Sequence, residues 1–115
     1  MSAAKANAVA VLVDPMFIAE RQRIAELAMR SRILAIYHLR QFVEVGGLIS
    51  YGVDYLEAFQ QAGVLVEKIL KGAKPADLPV EQPWPFALVI NLKTERALGL
   101  TIPPSLVLRA DHVVE

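Results

Sequence analysis

The chain has 115 residues, 55% of them hydrophobic, and its 12 basic residues are balanced by 12 acidic ones. One domain of this length buries about two thirds of its unfolded surface, and balanced charge gives no indication of binding to nucleic acid or to an anionic membrane. The chain contains no cysteine, which excludes disulfides and thiolate chemistry.

The amino-terminal residues contain no recognisable export signal. Residues 1–7, MSAAKAN, are predicted to be a disordered start. The apolar run that follows, Ala8–Val13, is too short to cross a bilayer. The long apolar core and small-residue cleavage site of a signal peptide are missing from the sequence as written. On these residues alone, we expect no export.

The first half of the chain alternates apolar runs with helical periods. Ala8–Val13 predicts a buried strand, and Asp14 with Pro15 predicts the cap and first position of one helix. Ile33–Tyr37 predicts the second strand. The apolar face of the intervening helix comprises Phe17, Ile24, Leu27 and Ala28.

The middle of the chain contains the clearest helical pattern. A short helix over Leu39–Val45 stops at Gly46 and Gly47, and Leu48–Tyr51 predicts the third strand. Asp54 then begins a capped helix that ends near Gly72. Its apolar stripe, which we expect to pack on the sheet, comprises Leu56, Phe59, Gly63, Val66 and Leu70.

The last third begins with a segment that is rich in proline. Four prolines lie within residues 75–85, and this density favours a stiff connector. Trp84, between two of them, is expected to anchor by packing rather than by stacking on a ligand. Phe86–Leu92 predicts a fourth strand, after which Thr94 caps a short helix ending at Gly99 and residues from Pro103 form a tail.

This order of elements predicts a three-layer α/β fold with a mainly parallel sheet of about four strands. We expect four segments. These are a disordered start at 1–7, an α/β lobe at 8–73, a proline-rich hinge or crossover at 74–85, and a closing strand, short helix and tail at 86–115.

Candidate ligand-binding residues follow the predicted strands, because ligands of open α/β sheets bind beyond the carboxyl ends of the strands. They offer a carboxylate, hydroxyls, aromatic rings and backbone amides, which suit an amino-acid-like ligand. Asp14 can equally be only a helix cap, and Tyr37 can equally be only a packing residue. The candidates are Asp14, Tyr37, Ser50, Tyr51 and Gly52.

No catalytic or metal-binding pattern is present. His38 and His112 are far apart in the sequence and do not have the spacing of metal ligands. Ser50 does not lie in a nucleophile-elbow motif, and the sequence indicates no general base for it. No glycine-rich phosphate motif occurs. Glu20 and Glu26 interleave with the arginines at 21, 23, 30 and 32, which favours a solvated helix face over a phosphate-binding patch. We therefore expect no cofactor, no metal and no enzymatic activity.

The segment Gly72–Leu106, GAKPADLPVEQPWPFALVINLKTERALGLTIPPSL, resembles the carboxyl-terminal part of the ABC-transporter substrate-binding proteins of the periplasmic type-I fold. The resemblance extends from Ala8 onward and points to the uncharacterised or tryptophan/tyrosine-type subfamily. It implies a periplasmic solute carrier with two lobes that close around an amino-acid-like ligand and deliver it to an ABC permease. This chain then represents a partial second lobe without the first, and alone it should bind amino acids weakly or not at all.

Two other interpretations remain open. A truncated stand-alone module without a transport role would self-associate as a homodimer, in which residues 75–85 and the following strand can exchange between copies. A small flavodoxin-like enzyme is the third interpretation, and it lacks a catalytic constellation.

Overall fold

The structure, a computed structural model, describes residues 5–80 and 86–115. Trp84 and its two flanking prolines, and most of the predicted disordered start, lie outside the described residues. The chain divides into two compact units. One contains the described residues up to Gly52 together with Ala87–Glu115, and the other contains those from Val53 to Phe86.

Within residues 5–80 and 86–115, five strands form one sheet in the order β1-β2-β3-β4-β5. The pairs β1–β2, β2–β3 and β4–β5 are parallel. The Asn91 N–H donates to the Leu48 carbonyl at 2.9 Å, so the carboxyl end of β4 lies beside the start of β3. The mainly parallel α/β fold is confirmed. The strands are β1 Ala8–Val11, β2 Leu34–Tyr37, β3 Ile49–Val53, β4 Phe86–Asn91 and β5 His112–Val114.

The fifth strand was not predicted from the sequence. His112–Val114 pairs with Val89–Asn91, where the sequence indicated only a tail. Three residues are too few to show a strand period, and the pairing depends on a neighbour more than 20 residues earlier. The Asp111 N–H donates to the Leu88 carbonyl at 2.8 Å and the Leu88 N–H to the Asp111 carboxylate at 2.7 Å, which fixes the register.

In the described part of the chain, six α-helices lie between and after the strands, and a 3₁₀ turn covers Pro75–Asp77. The single helix predicted after Asp14 is instead two helices, because the backbone of Glu20 (φ −98°, ψ 17°) leaves the helical region between them. The helices are α1 Pro15–Ala19, α2 Arg21–Arg30, α3 Arg40–Glu44, α4 Tyr55–Leu70, α5 Leu92–Leu98 and α6 Pro104–Arg109.

The helix α4 begins as predicted, but the prediction that its apolar stripe is buried is wrong. The Asp54 carboxylate accepts the N–H groups of Leu56 and Glu57 at 3.0 and 3.2 Å, which caps the helix. Phe59 is nevertheless 73% exposed and Leu70 is 81% exposed, and Leu56 and Val66 are exposed as well. Helical periodicity identifies which side of a helix is apolar, but it cannot supply the surface that covers it.

Two apolar clusters form the core of the first unit. In the first, Tyr37 and Phe42 are packed with Ala35 and Leu39, and α1, α2 and β1 contribute partly buried side chains around them. The second joins Leu48, Ile90 and Ile102 with side chains from α5 and α6. On the other face of β2, Leu34 and Ile36 remain exposed, although strands of parallel sheets are usually covered on both faces.

A buried polar junction holds the start of α5 against the loop after α3. Asn91, and not Thr94 as the sequence predicted, caps α5: its Oδ1 accepts the Thr94 N–H at 3.1 Å. The Asn91 side-chain amide donates to the Val43 carbonyl at 3.2 Å, and the Thr94 hydroxyl donates to the Gly46 carbonyl at 2.9 Å. Gly99 ends the helix with φ +68°, as predicted.

Candidate functional site

The carboxyl ends of β1, β2 and β3 meet at one edge of the sheet. Val11 is in register with Tyr37, and Tyr37 is in register with Ser50. Because these strands are parallel, the segments that follow them leave the sheet on the same side. The strand-end argument from the sequence therefore selects segments that the fold brings to a common edge.

Asp14 caps α1 through one of its two carboxylate oxygens. Its Oδ1 accepts the Met16 N–H at 2.8 Å, which is the geometry of a helix cap. Among the described residues no donor reaches its second carboxylate oxygen. The carboxyl group is partly exposed, so it can cap the helix and present negative charge to solvent at the same time.

Tyr37 lies in the core. The residue is 1% exposed, and its ring stacks on Phe42 with centroids 4.7 Å apart and planes 12° apart. Burial raises the pKa of the Tyr37 phenol, since the ionised form would lose its hydration. Of the two interpretations that the sequence left open, this position favours packing. Tyr37 then supports the strand ends from inside the sheet.

The segment Ser50-Tyr51-Gly52 alternates between the two sides of β3. Ser50 is 1% exposed and Tyr51 is 53% exposed, as expected for successive residues of a strand. Gly52 is buried, and a Cβ atom at that position would overlap the His38 carbonyl oxygen. Glycine is thus required for β3 to pass the turn that follows β2.

His38 belongs to this edge, although the sequence indicated only that it has no metal-ligand spacing. It follows β2 directly, its side chain is exposed, and its Nδ1 lies 3.0 Å from the Val11 carbonyl oxygen at the end of β1. The spacing of His38 from His112 excludes only a metal site. The hydrogen bond to Val11 joins residues 27 positions apart, so it leaves no local signal in the sequence.

In the described parts of the chain, no group of three or more His, Cys, Asp or Glu side chains is arranged to hold a metal ion. Across residues 5–80 and 86–115, none of the helices is long and apolar enough to cross a membrane.

Solved structures with the same architecture include a pneumococcal protein. The ABC domain of Streptococcus pneumoniae in complex with L-Trp has a TM-score of 0.81 at 32% identity, with coverage of 98% of this chain and 38% of its own. A conserved domain protein of Vibrio cholerae gives a TM-score of 0.78 at 28% identity, with coverage of 95% and 37%. A ligand-free, open substrate binding protein of Clostridium difficile gives a TM-score of 0.66 at 23% identity, with coverage of 94% of this chain and 36% of its own. At this identity the similarity shows the fold alone.

The sequence comparisons agree with the structural ones. An uncharacterized protein of Rickettsia prowazekii is 31% identical over 84 residues, which are 73% of this chain and 28% of the relative. The chain thus spans little more than a third of the solved relatives and less of the curated one. The family model described as ABC transporter substrate binding protein matches residues 1–114, and the chain belongs to that family.

Proposed function

We propose that this chain supplies part of the solute-binding component of an ABC transporter and binds an amino-acid-like ligand without catalysis. The observation that carries the proposal is the similarity over 98% of the chain to a structure with L-Trp bound. In this proposal the protein works in the periplasm and its partner is an ABC permease, as is typical of the family.

The ligand-binding residues that we propose are those at the common strand edge. Asp14 offers a carboxylate to an ammonium group, and Tyr51 offers an exposed ring to an apolar side chain. Gly52 lets the backbone pass close to His38. The buried Tyr37 and Ser50 support the strand ends beneath the proposed site. None of these groups needs to change covalently, so binding alone accounts for the arrangement.

The mechanism we propose is closure of two lobes around the solute. A ligand held by this chain alone would remain open to water on one side. Water screens the charge interaction with Asp14, and the cost of ordering the ligand is then poorly offset. We therefore expect this chain to bind an aromatic amino acid only at millimolar concentration.

The test is a titration of the ¹⁵N-labelled chain with L-tryptophan and with L-leucine, followed by NMR. Saturable shifts should appear at Asp14, Tyr51 and Gly52. Asp14→Asn should weaken the binding, because Asn caps a helix as well as Asp does but has no charge. Asp54→Asn is the matched control, since Asp54 caps α4 in the same way. Micromolar affinity would contradict the expectation that one lobe alone binds weakly. Chemical-shift changes confined to α2 would contradict the proposed position of the site.

A second candidate, a truncated self-associating module without a transport role, is favoured by a different observation. Large apolar side chains remain exposed on β2 and on α4. A homodimer that covers them, with or without exchange of residues 75–85 and the strand after them, would be expected. Failure of the titration together with a dimeric mass would favour this candidate.

A further inference from the structure

We infer that His38 is a specificity-determining residue of the proposed site and that its Nε2 atom accepts a hydrogen bond from the ammonium group of the ligand. The inference rests on the proposed function and adds a residue and a ligand group to it. It follows from the hydrogen bond of the ring, from the free ring nitrogen and from the neighbouring carboxylate.

The first step concerns the tautomer. A carbonyl oxygen can only accept a hydrogen bond, so the 3.0 Å contact between Nδ1 and the Val11 carbonyl requires the proton to be on Nδ1. In the neutral imidazole, Nε2 then carries a lone pair and no hydrogen. The end of β1 thus determines which nitrogen of His38 is the acceptor.

The second step concerns the free nitrogen. Within the described parts of the chain, no group forms a hydrogen bond with Nε2, and the side chain is exposed. Since the two nitrogens lie on different sides of the ring, the bond from Nδ1 turns Nε2 away from the end of β1. The ring is held in place before any ligand arrives, which lowers the entropic cost of binding through it.

The third step concerns the ligand group. A neutral Nε2 can accept a hydrogen bond but not donate one. Asp14, which follows the neighbouring strand β1, also attracts a donor that carries positive charge. An ammonium group satisfies both, whereas a carboxylate is opposed by both. Strand β3 adds a steric constraint, because Gly52 near its end leaves room for the His38 carbonyl.

The experiment distinguishes binding through the ammonium group from binding through the rest of the ligand. Binding of L-tryptophan and of indole-3-propionate, which lacks the ammonium, is measured by NMR for the intact chain and its variants. His38→Asn keeps a donor for the Val11 carbonyl and removes the acceptor at Nε2. It should weaken L-tryptophan binding about tenfold, as for one hydrogen bond to a charged group, and leave indole-3-propionate binding unchanged.

Two variants and one spectrum complete the test. His38→Gln restores an oxygen acceptor near the Nε2 position and should recover part of the loss. His112→Asn, on β5, is the matched control and should behave like the unmodified chain. In the free chain, ¹⁵N shifts of the neutral ring should show the Nδ1-protonated tautomer, and thermal midpoints should show that each variant is folded.

Each failure has a separate meaning. Undiminished L-tryptophan binding by His38→Asn, an equal loss for both ligands, or an Nε2-protonated tautomer would overturn this inference and leave the proposed function standing. Absence of L-tryptophan binding by the unmodified chain at millimolar concentration would contradict the binding proposed for this chain, and this inference with it.

Discussion

Ionisation of Tyr37 should make the fold sensitive to alkali. Burial raises the pKa of its phenol above the ordinary value of 10.0, so the folded chain holds this proton more tightly than the unfolded chain does. The resulting stability is complete below pH about 10 and is lost as the pH rises through the raised folded pKa. Urea unfolding midpoints measured across this pH range should fall less steeply with pH for Tyr37→Phe than for the unmodified chain. Tyr55→Phe is the control, since Tyr55 is exposed. Parallel pH profiles for Tyr37→Phe and the unmodified chain would contradict the prediction.

Gly52 and Gly63 should respond in opposite ways to alanine. At Gly52 the new methyl group would overlap the His38 carbonyl oxygen, and overpacking of this kind costs about 1–3 kcal/mol. At Gly63, inside α4, the methyl group meets open space and the gain in helix propensity should be about 0.5–1 kcal/mol. Urea denaturation of both variants checks the pair. A stable Gly52→Ala chain would mean that the turn after β2 is not held as described.

Residue chemistry could be predicted from the sequence where it depends on near neighbours. Asp14 and Asp54 were expected to cap helices, and both do so within three residues. The cap of α5 was assigned to Thr94, because nothing local shows that Asn91 also reaches the Val43 carbonyl 48 residues away. The hydrogen bond of His38 to Val11 spans 27 residues and was missed for the same reason.

At the scale of elements, the two phenylalanines in helices should differ in what they contribute to stability. Phe42 in α3 is buried against Tyr37, so Phe42→Ala should cost about 3–5 kcal/mol. Phe59 in α4 is mostly exposed, so Phe59→Ala should cost less than about 1 kcal/mol in the dilute chain. The free energy of unfolding from urea titrations compares them directly. A loss at Phe59 as large as that at Phe42 would mean that α4 is buried in solution.

The order of elements was largely readable from the sequence, and their packing was not. Apolar runs and capping residues placed four of the five strands and the main helices, because those signals are local. Strand β5 depends on pairing with a strand more than 20 residues earlier, and the break at Glu20 lies in backbone angles that its side chain does not signal. The exposed side of α4 shows the same limit of local signals. The spacing of apolar residues shows which side of the helix is apolar, but it does not show which surface covers that side.

At the scale of the whole molecule, the exposed apolar side of α4 should drive self-association. Phe59 and Leu70 are exposed together with Leu56 and Val66 at helical spacing. Large exposed apolar patches on soluble proteins commonly mark sites of association. Light scattering over a range of concentrations should therefore give a mass above 12.6 kDa, with a dimer as the expected species. Phe59→Ser combined with Leu70→Ser should shift the equilibrium toward the monomer. Leu108→Ser removes an equally exposed leucine from α6 and is the control. A monomer at all concentrations would exclude the self-associating module and leave the binding component as the only proposed function.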